Sequence, residues 1–102
     1  MPVYHIVLFK LKPNTSSENI AELKKAAGAM VGQIPGLQKM DVGPPHASTA
    51  SRAQGYDMGL VAVLDKAETI AVYAKHDAHL AVHKLREELC TETLAYDLEF
   101  TP

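Results

Sequence analysis

The sequence predicts an α+β domain on a β-α-β-β-α-β plan, and three observations carry that prediction. A run rich in β-branched and aromatic residues, Val3 to Leu11, stops short of Pro13, which cannot donate to a sheet ladder. A Thr- and Ser-rich segment then opens a long stretch with apolar residues at steps of three and four. Two further alternating runs, Tyr56 to Leu64 and Thr93 to Phe100, bracket a second helical region. With a short strand after the first helix, this order is the ferredoxin-like arrangement, a four-stranded antiparallel sheet with helices on one face.

In the first strand, period 2 sets Val3, His5, Val7, Phe9 and Leu11 on one face and Tyr4, Ile6, Leu8 and Lys10 on the other. Both faces are largely apolar, so both need cover. Thr15 and Glu18 have capping-box spacing, which starts a helix over Ser16 to Gln33. Its stripe is Ile20, Leu23, Ala27, Met30, Val31 and Ile34, and Pro35-Gly36 ends it. Leu37 to Val42 forms a short strand before Gly43-Pro44-Pro45, and the polar stretch to Gln54 reads as an exposed, least ordered loop. Tyr56, Met58, Leu60, Ala62 and Leu64 then share one strand face, with Asp57, Gly59, Val61 and Val63 on the other. Asp65 and Glu68 have N-cap and N3 character for a helix carrying Ile70, Tyr73 and Ala74, and helical composition continues over Leu80 to Leu89. The first and last strands are expected not to be sheet neighbours.

The second sheet face would present Tyr4, Ile6, Leu8, Val61, Val63, Leu94, Tyr96 and Leu98 to water in a monomer. A contiguous apolar patch of that kind marks an interface, so a homodimer is expected.

Composition excludes several classes. The 102 residues suit one domain spanning 1–102, and 47% hydrophobic with 22% charged residues is a globular balance rather than that of a disordered or coiled-coil chain. Ten Lys plus Arg against twelve Asp plus Glu leave a net charge of −2 with no basic run, so nucleic acid is not an expected partner. No stretch is long and apolar enough for a membrane span, and the start Met1-Pro2-Val3-Tyr4-His5 lacks the features of a signal peptide, so the chain is expected to be mature as written and to have no membrane partner. A single cysteine, Cys90, cannot close an intrachain disulfide, and a cytoplasmic setting is expected.

Several segments together carry a family resemblance: Val3-Tyr4-His5-Ile6-Val7-Leu8-Phe9-Lys10, Ile34-Pro35-Gly36-Leu37, Gly55-Tyr56, Glu68-Thr69-Ile70 through Tyr73, His76-Asp77-Ala78-His79, and Tyr96-Asp97-Leu98. In order and spacing they resemble the stress-responsive A/B barrel (Dabb) family over nearly the whole chain. That resemblance implies a dimeric α+β barrel in which two ferredoxin-like sheets face each other. The family includes plant heat-stable and antifungal proteins and a polyketide cyclase related to olivetolic acid cyclase. By resemblance to the cyclase, Tyr73 and His79 match its acid–base pair, His5 and Asp97 match polar pocket residues, and His76 matches the first histidine of its motif. Asp77 replaces the motif proline, and Leu23, Ala27 and Cys90 stand where the cyclase has large aromatics, so the pocket shape must differ.

Tyr73 and His79 are six residues apart, which is not a same-face spacing, so they meet only if the helix breaks near His76-Asp77. A neutral imidazole suits proton abstraction near neutral pH, and a tyrosine hydroxyl suits enolate stabilisation. Val7, Phe9, Leu60 and Ala62 would supply apolar walls beside His5 and Asp97 in a substrate pocket. The other reading of the pair is structural: a buried tyrosine whose hydroxyl satisfies His79. His76, His79 and His83 would share a face of an unbroken helix, but no acidic residue at ligand spacing completes a metal site, so no metal and no cofactor are expected, and His76 and His83 read as surface residues. Cys90 reads as a buried structural thiol. Two functions stand at this point. One is a cofactor-independent enzyme of the polyketide cyclase type, working by aldol or proton-transfer chemistry on a small aromatic or polyketide-like ligand. The alternative is a non-catalytic stress-responsive dimer with a passive or vestigial cavity. The haem or quinone monooxygenase chemistry of other dimeric α+β barrels has no support in these residues.

Overall fold

The computed structural model describes residues Met1–Pro102. Its elements are β1 (Val3–Leu11), α1 (Ser17–Gly28), β2 (Leu37–Gly43), a 3₁₀ helix (Ala47–Arg52), β3 (Met58–Leu64), α2 (Thr69–Lys75), α3 (Asp77–Leu89) and β4 (Cys90–Glu99). The four strands form one antiparallel sheet in the order β2-β3-β1-β4. The fold is ferredoxin-like, as the pattern predicts. No helix is long and apolar enough to cross a membrane.

The strand order corrects one expectation: β1 and β4 are neighbours, and His5 stands directly opposite Asp97. Two helical crossovers, β1 to β2 and β3 to β4, place β1 centrally, between β3 and β4, which is how a β-α-β-β-α-β chain closes into one sheet without crossing connections.

The first helix is shorter than the apolar period predicts. Its cap is Ser16 rather than Thr15: the Ser16 hydroxyl accepts from the Asn19 N–H at 3.1 Å, while the Thr15 hydroxyl donates to the Lys12 carbonyl. Helical hydrogen bonding gives way after Gly28 to tighter turns, with Met30, Val31 and Gln33 each donating to the carbonyl three residues back. Met30 and Ile34 still reach the core from these turns, whereas Val31 is exposed, so the stripe outlasts the helix that it implies. The loop before β3 contains the 3₁₀ helix, capped by His46, whose Nδ1 accepts from the Ser48 N–H. β3 starts at Met58, two residues later than its pattern.

The second helical region begins properly at Thr69. Asp65 accepts a hydrogen bond from the Thr69 hydroxyl, and the Asp65 N–H donates to the Gly36 carbonyl at 2.9 Å. Gly36 sits at φ +86°, and a Cβ there would lie 2.6 Å from both Asp65 Oδ1 and Thr69 Cγ2. Only glycine accommodates both that backbone angle and that approach.

The core lies between the helices and one sheet face. Val3, Val7 and Phe9 from β1 and Met58, Leu60, Ala62 and Leu64 from β3 meet Leu23 and Ala27 of α1, Tyr73 of α2, and Val82 and Leu89 of α3. The opposite face is uncovered: Val61, Leu94, Tyr96 and Leu98 are exposed and share it with Tyr4, Ile6, Leu8 and Val63. Tyr4 stacks on Phe100 at this surface, with ring centroids 3.9 Å apart.

Candidate active site

The site depends on where the second helical region breaks. His76 adopts an extended conformation (ψ 139°), which stops α2, and its Nδ1 accepts from the Ala78 N–H at 3.0 Å, which caps α3. Asp77 in the first turn of α3 complements that helix's N-terminal dipole. The break turns α3 so that the Tyr73 and His79 rings approach, with centroids 4.4 Å apart and planes at 45°. His76 is thereby committed to capping. No group of three His, Cys, Asp or Glu side chains could hold a metal ion.

The same break gives His79 a defined tautomer. The last carbonyls of α2 have no partner within their helix, and that of Ala74 lies 3.1 Å from His79 Nδ1. A carbonyl only accepts, so Nδ1 carries the proton and Nε2 keeps its lone pair. Burial holds the His79 pKa below the ordinary histidine value; neighbouring His83, His5 and Arg86 push the same way, and the Ala74 carbonyl pulls back. At neutral pH His79 is therefore an uncharged imidazole with a free basic nitrogen.

Tyr73 is almost wholly buried, yet its hydroxyl makes no hydrogen bond. Since no side-chain polar atom of the protein is both sealed from solvent and unpartnered, that hydroxyl must open into accessible space. It does not bond to His79, as a purely structural pair would require. Burial pushes the Tyr73 phenol up to about 12, with Asp97 adding to the shift and Arg86 opposing it. The group thus stays protonated at neutral pH, with a hydrogen to donate.

The accessible space is a cavity of about 200 Å³ between the helices and the sheet. The strands contribute His5, Val7 and Phe9 of β1, Val42 of β2, Leu60 of β3, and Thr93 and Ala95 of β4. The helices contribute Leu23 and Ala27 of α1, Tyr73 of α2, and His79, Val82, His83 and Arg86 of α3. Six of the residues named from the sequence, His5, Val7, Phe9, Leu60, Tyr73 and His79, are thus brought together. Ala62 and Asp97 do not line the cavity. Ala62 is fully buried under the helices, and Asp97 acts from behind, its carboxylate 2.6 Å from His5 Nδ1. That contact places a proton on His5 Nδ1, and the His5 and Tyr73 rings meet edge to face, with centroids 5.0 Å apart.

Two wall residues escape the sequence reading. His83 is not a plain surface histidine: it is half-buried, its Nδ1 is 2.6 Å from an Arg86 Nη, and its Nε2 is 2.6 Å from Glu87. Arg86 stands beside it on the cavity wall. The signal was present, because His79, Val82, His83 and Arg86 occupy positions i, i+3, i+4 and i+7, one face of a helix. Leu23 and Ala27, where the resemblance implies larger aromatics, line the cavity and leave it room. Cys90 is half-buried rather than buried and lies outside the cavity, its thiol pushed up by burial.

Comparison with known proteins places these features. A family model described as Stress responsive A/B Barrel Domain matches residues 3–100. The chain is similar to the crystal structure of an Arabidopsis thaliana protein, at 25% identity and TM-score 0.87, covering 98% of this chain and 96% of that one. It is also similar to a dimeric protein of unknown function and ferredoxin-like fold from Bacteroides fragilis, at 27% identity and TM-score 0.79, covering 97% and 96% of the two chains. A hydroxynitrile lyase from Passiflora edulis shares the fold at 17% identity and TM-score 0.84, covering 99% and 97%. Among curated proteins, none matches the sequence significantly.

Proposed function

The chain belongs to the stress responsive A/B barrel domain family, and from that premise we propose that it is a cofactor-independent small-molecule enzyme of the polyketide cyclase type. The observation that carries this reading is the pairing of an unoccupied basic nitrogen on His79 with an unpartnered hydroxyl on Tyr73 at one cavity. A tyrosine and histidine that only held the fold together would satisfy each other, leaving no buried polar group free. The family's fold also carries an enzyme in the Passiflora edulis hydroxynitrile lyase.

The chemistry follows from the two protonation states. His79 Nε2 takes a proton from a carbon next to a carbonyl, and the Tyr73 hydroxyl donates to the oxygen on which the enolate charge develops. The enolate carbon attacks a second carbonyl of the same chain, forming the new carbon–carbon bond. The imidazolium returns its proton to the resulting alkoxide, so the step is redox-neutral and needs no co-reactant. Val7, Phe9 and Leu60 keep water from the reacting carbon. His5, oriented by Asp97, supplies a further polar contact on the wall, and Leu23 and Ala27, smaller than the aromatics of olivetolic acid cyclase, give the pocket a different shape.

We place this activity in a single-domain homodimer of the cytoplasm, formed by pairing the uncovered sheet faces of two copies. Relatives of similar fold are described as dimeric, and the exposed Val61, Leu94, Tyr96 and Leu98 give a second copy an apolar surface to cover. The test is a panel of linear β-keto thioesters in deuterated buffer, followed by NMR for α-proton exchange and ring closure. Turnover by the unaltered protein that falls roughly 10²–10⁴-fold in His79→Gln is the expected result. No exchange with any member, or equal exchange in that variant, refutes the proposed roles and leaves a passive cavity.

A further inference from the structure

The cavity wall has an unbalanced charge. Its polar members are Arg86, three imidazoles from His5, His79 and His83, and the hydroxyls of Tyr73 and Thr93. No carboxylate lines it: Asp97 stands behind His5, and Glu87 points along α3 to the outer nitrogen of His83. Arg86 is half-buried and forms no ion pair with any acid of the chain.

The partner that Arg86 does have is uncharged and leaves it available. A guanidinium only donates, so the 2.6 Å contact requires His83 Nδ1 to be an unprotonated acceptor, with the His83 proton on Nε2 toward Glu87. This relay from Glu87 through His83 holds the planar fork in place while using one of its five N–H donors. His83, Arg86 and Thr93 also line a second depression beside the cavity, so they stand at its mouth; Glu87 and Glu92 share that depression and are engaged by His83 and Lys10. A fixed guanidinium at the mouth of an apolar pocket, with donors to spare and no acid paired to it, matches a planar carboxylate.

We propose that the cavity binds a carboxylate-bearing compound whose carboxylate pairs with Arg86 at the mouth while its aromatic or keto portion reaches Tyr73 and His79. The inference rests on the reading of this cavity as a small-molecule site and names the class of molecule. Size agrees: a dry cavity of roughly 150 Å³ admits benzene, so about 200 Å³ admits one ring with a short substituent.

Benzoate and its neutral isostere benzamide, titrated by calorimetry at neutral pH, test the proposal. Benzoate is expected to bind the unaltered protein at least about tenfold more tightly than benzamide. Arg86→Met should abolish that preference, while Arg86→Lys, which keeps the charge and loses the fork, should retain part of it. Melting temperatures of both variants close to that of the unaltered protein establish that they are folded. Equal binding of the two probes, no saturable benzoate binding up to about 10 mM, or a preference that survives in a folded Arg86→Met protein overturns the proposal. The two readings fail separately. Arg86-dependent benzoate binding without any α-proton exchange upholds the carboxylate site and removes the enzyme, whereas exchange without a benzoate preference does the reverse.

Discussion

Val61 lies near the middle of the uncovered sheet face, on β3 opposite Ile6 of β1 and Asp41 of β2. Replacing it with lysine tests the dimer without breaking the fold, because Val61 is 38% exposed in the single chain and the new ammonium would lie beside the Asp41 carboxylate. In the dimer the same change is severe. Full burial of a Val or Leu side chain is worth about 1.5–3 kcal/mol, so covering the exposed part of Val61 contributes about 1 kcal/mol per copy. A lysine there loses that contribution and also carries an ammonium into the interface, at a cost of several kcal/mol per ion where water is excluded. Two-fold symmetry doubles each effect. A total of at least about 4–6 kcal/mol corresponds to a dissociation constant raised by roughly 10³–10⁴-fold. Sedimentation velocity at micromolar concentration should therefore show a dimer for the unaltered protein and a folded monomer for Val61→Lys. Unaltered protein that sediments as a monodisperse monomer, or a variant with an undiminished dimer, would refute the sheet-to-sheet arrangement.

The remaining predictions concern the site and its supports. Tyr73→Phe should slow turnover less than His79→Gln does, since only a hydrogen-bond donor is removed, and should leave the melting temperature nearly unchanged because the hydroxyl has no partner to lose. The depressed His79 pKa means that the unfolded chain takes up a proton more readily than the folded one. Its contribution is present above the ordinary histidine value and is lost as pH falls through the folded pKa, so the acid-side loss of stability should be smaller in His79→Gln in pH-dependent thermal melts. Tyr73 has the opposite sign: its contribution is present below about 10 and disappears as pH rises toward about 12, a loss that Tyr73→Phe should lack. Asp97→Ala removes the acceptor for His5 Nδ1 and should destabilise the fold by about 1–3 kcal/mol, read as a melting-temperature drop of several degrees. Gly36→Ala forces a Cβ against Asp65 and Thr69 at a left-handed backbone angle and should cost more than Gly55→Ala, where the nearest atom is the flexible Lys10 side chain at 3.4 Å; denaturant midpoints of the two variants compare them.

What could be read from the sequence divides along the range of the interactions involved. Period 2 assigned His5 to the helix-facing side of β1 and Tyr96 to the open side of β4, because pleat parity is a local property that survives any strand order. Strand order is not local, and the expectation that β1 and β4 lie apart missed the direct His5–Asp97 pairing. The meeting of Tyr73 and His79 was legible only as a condition, a break near His76. Its cause, the imidazole of His76 capping α3, is invisible to periodicity because histidine is a minor capping residue. That break also explains why Arg86 escaped notice. On a helix known only from its apolar stripe, a charged residue reads as a solvated one, and α3 directs Arg86 toward the cavity once its axis has been set by the turn at His76. The cavity is harder still to foresee, since it is made by what its walls lack. Ala27 of α1 and Thr93 and Ala95 of β4 are short side chains on two different elements, and they leave about 200 Å³ open beside α3. The position of one capping histidine therefore links the tautomer of His79, the orientation of Arg86 and the volume between them. Displacing His76 from its cap should perturb proton transfer and carboxylate binding together, although His76 touches neither ligand site.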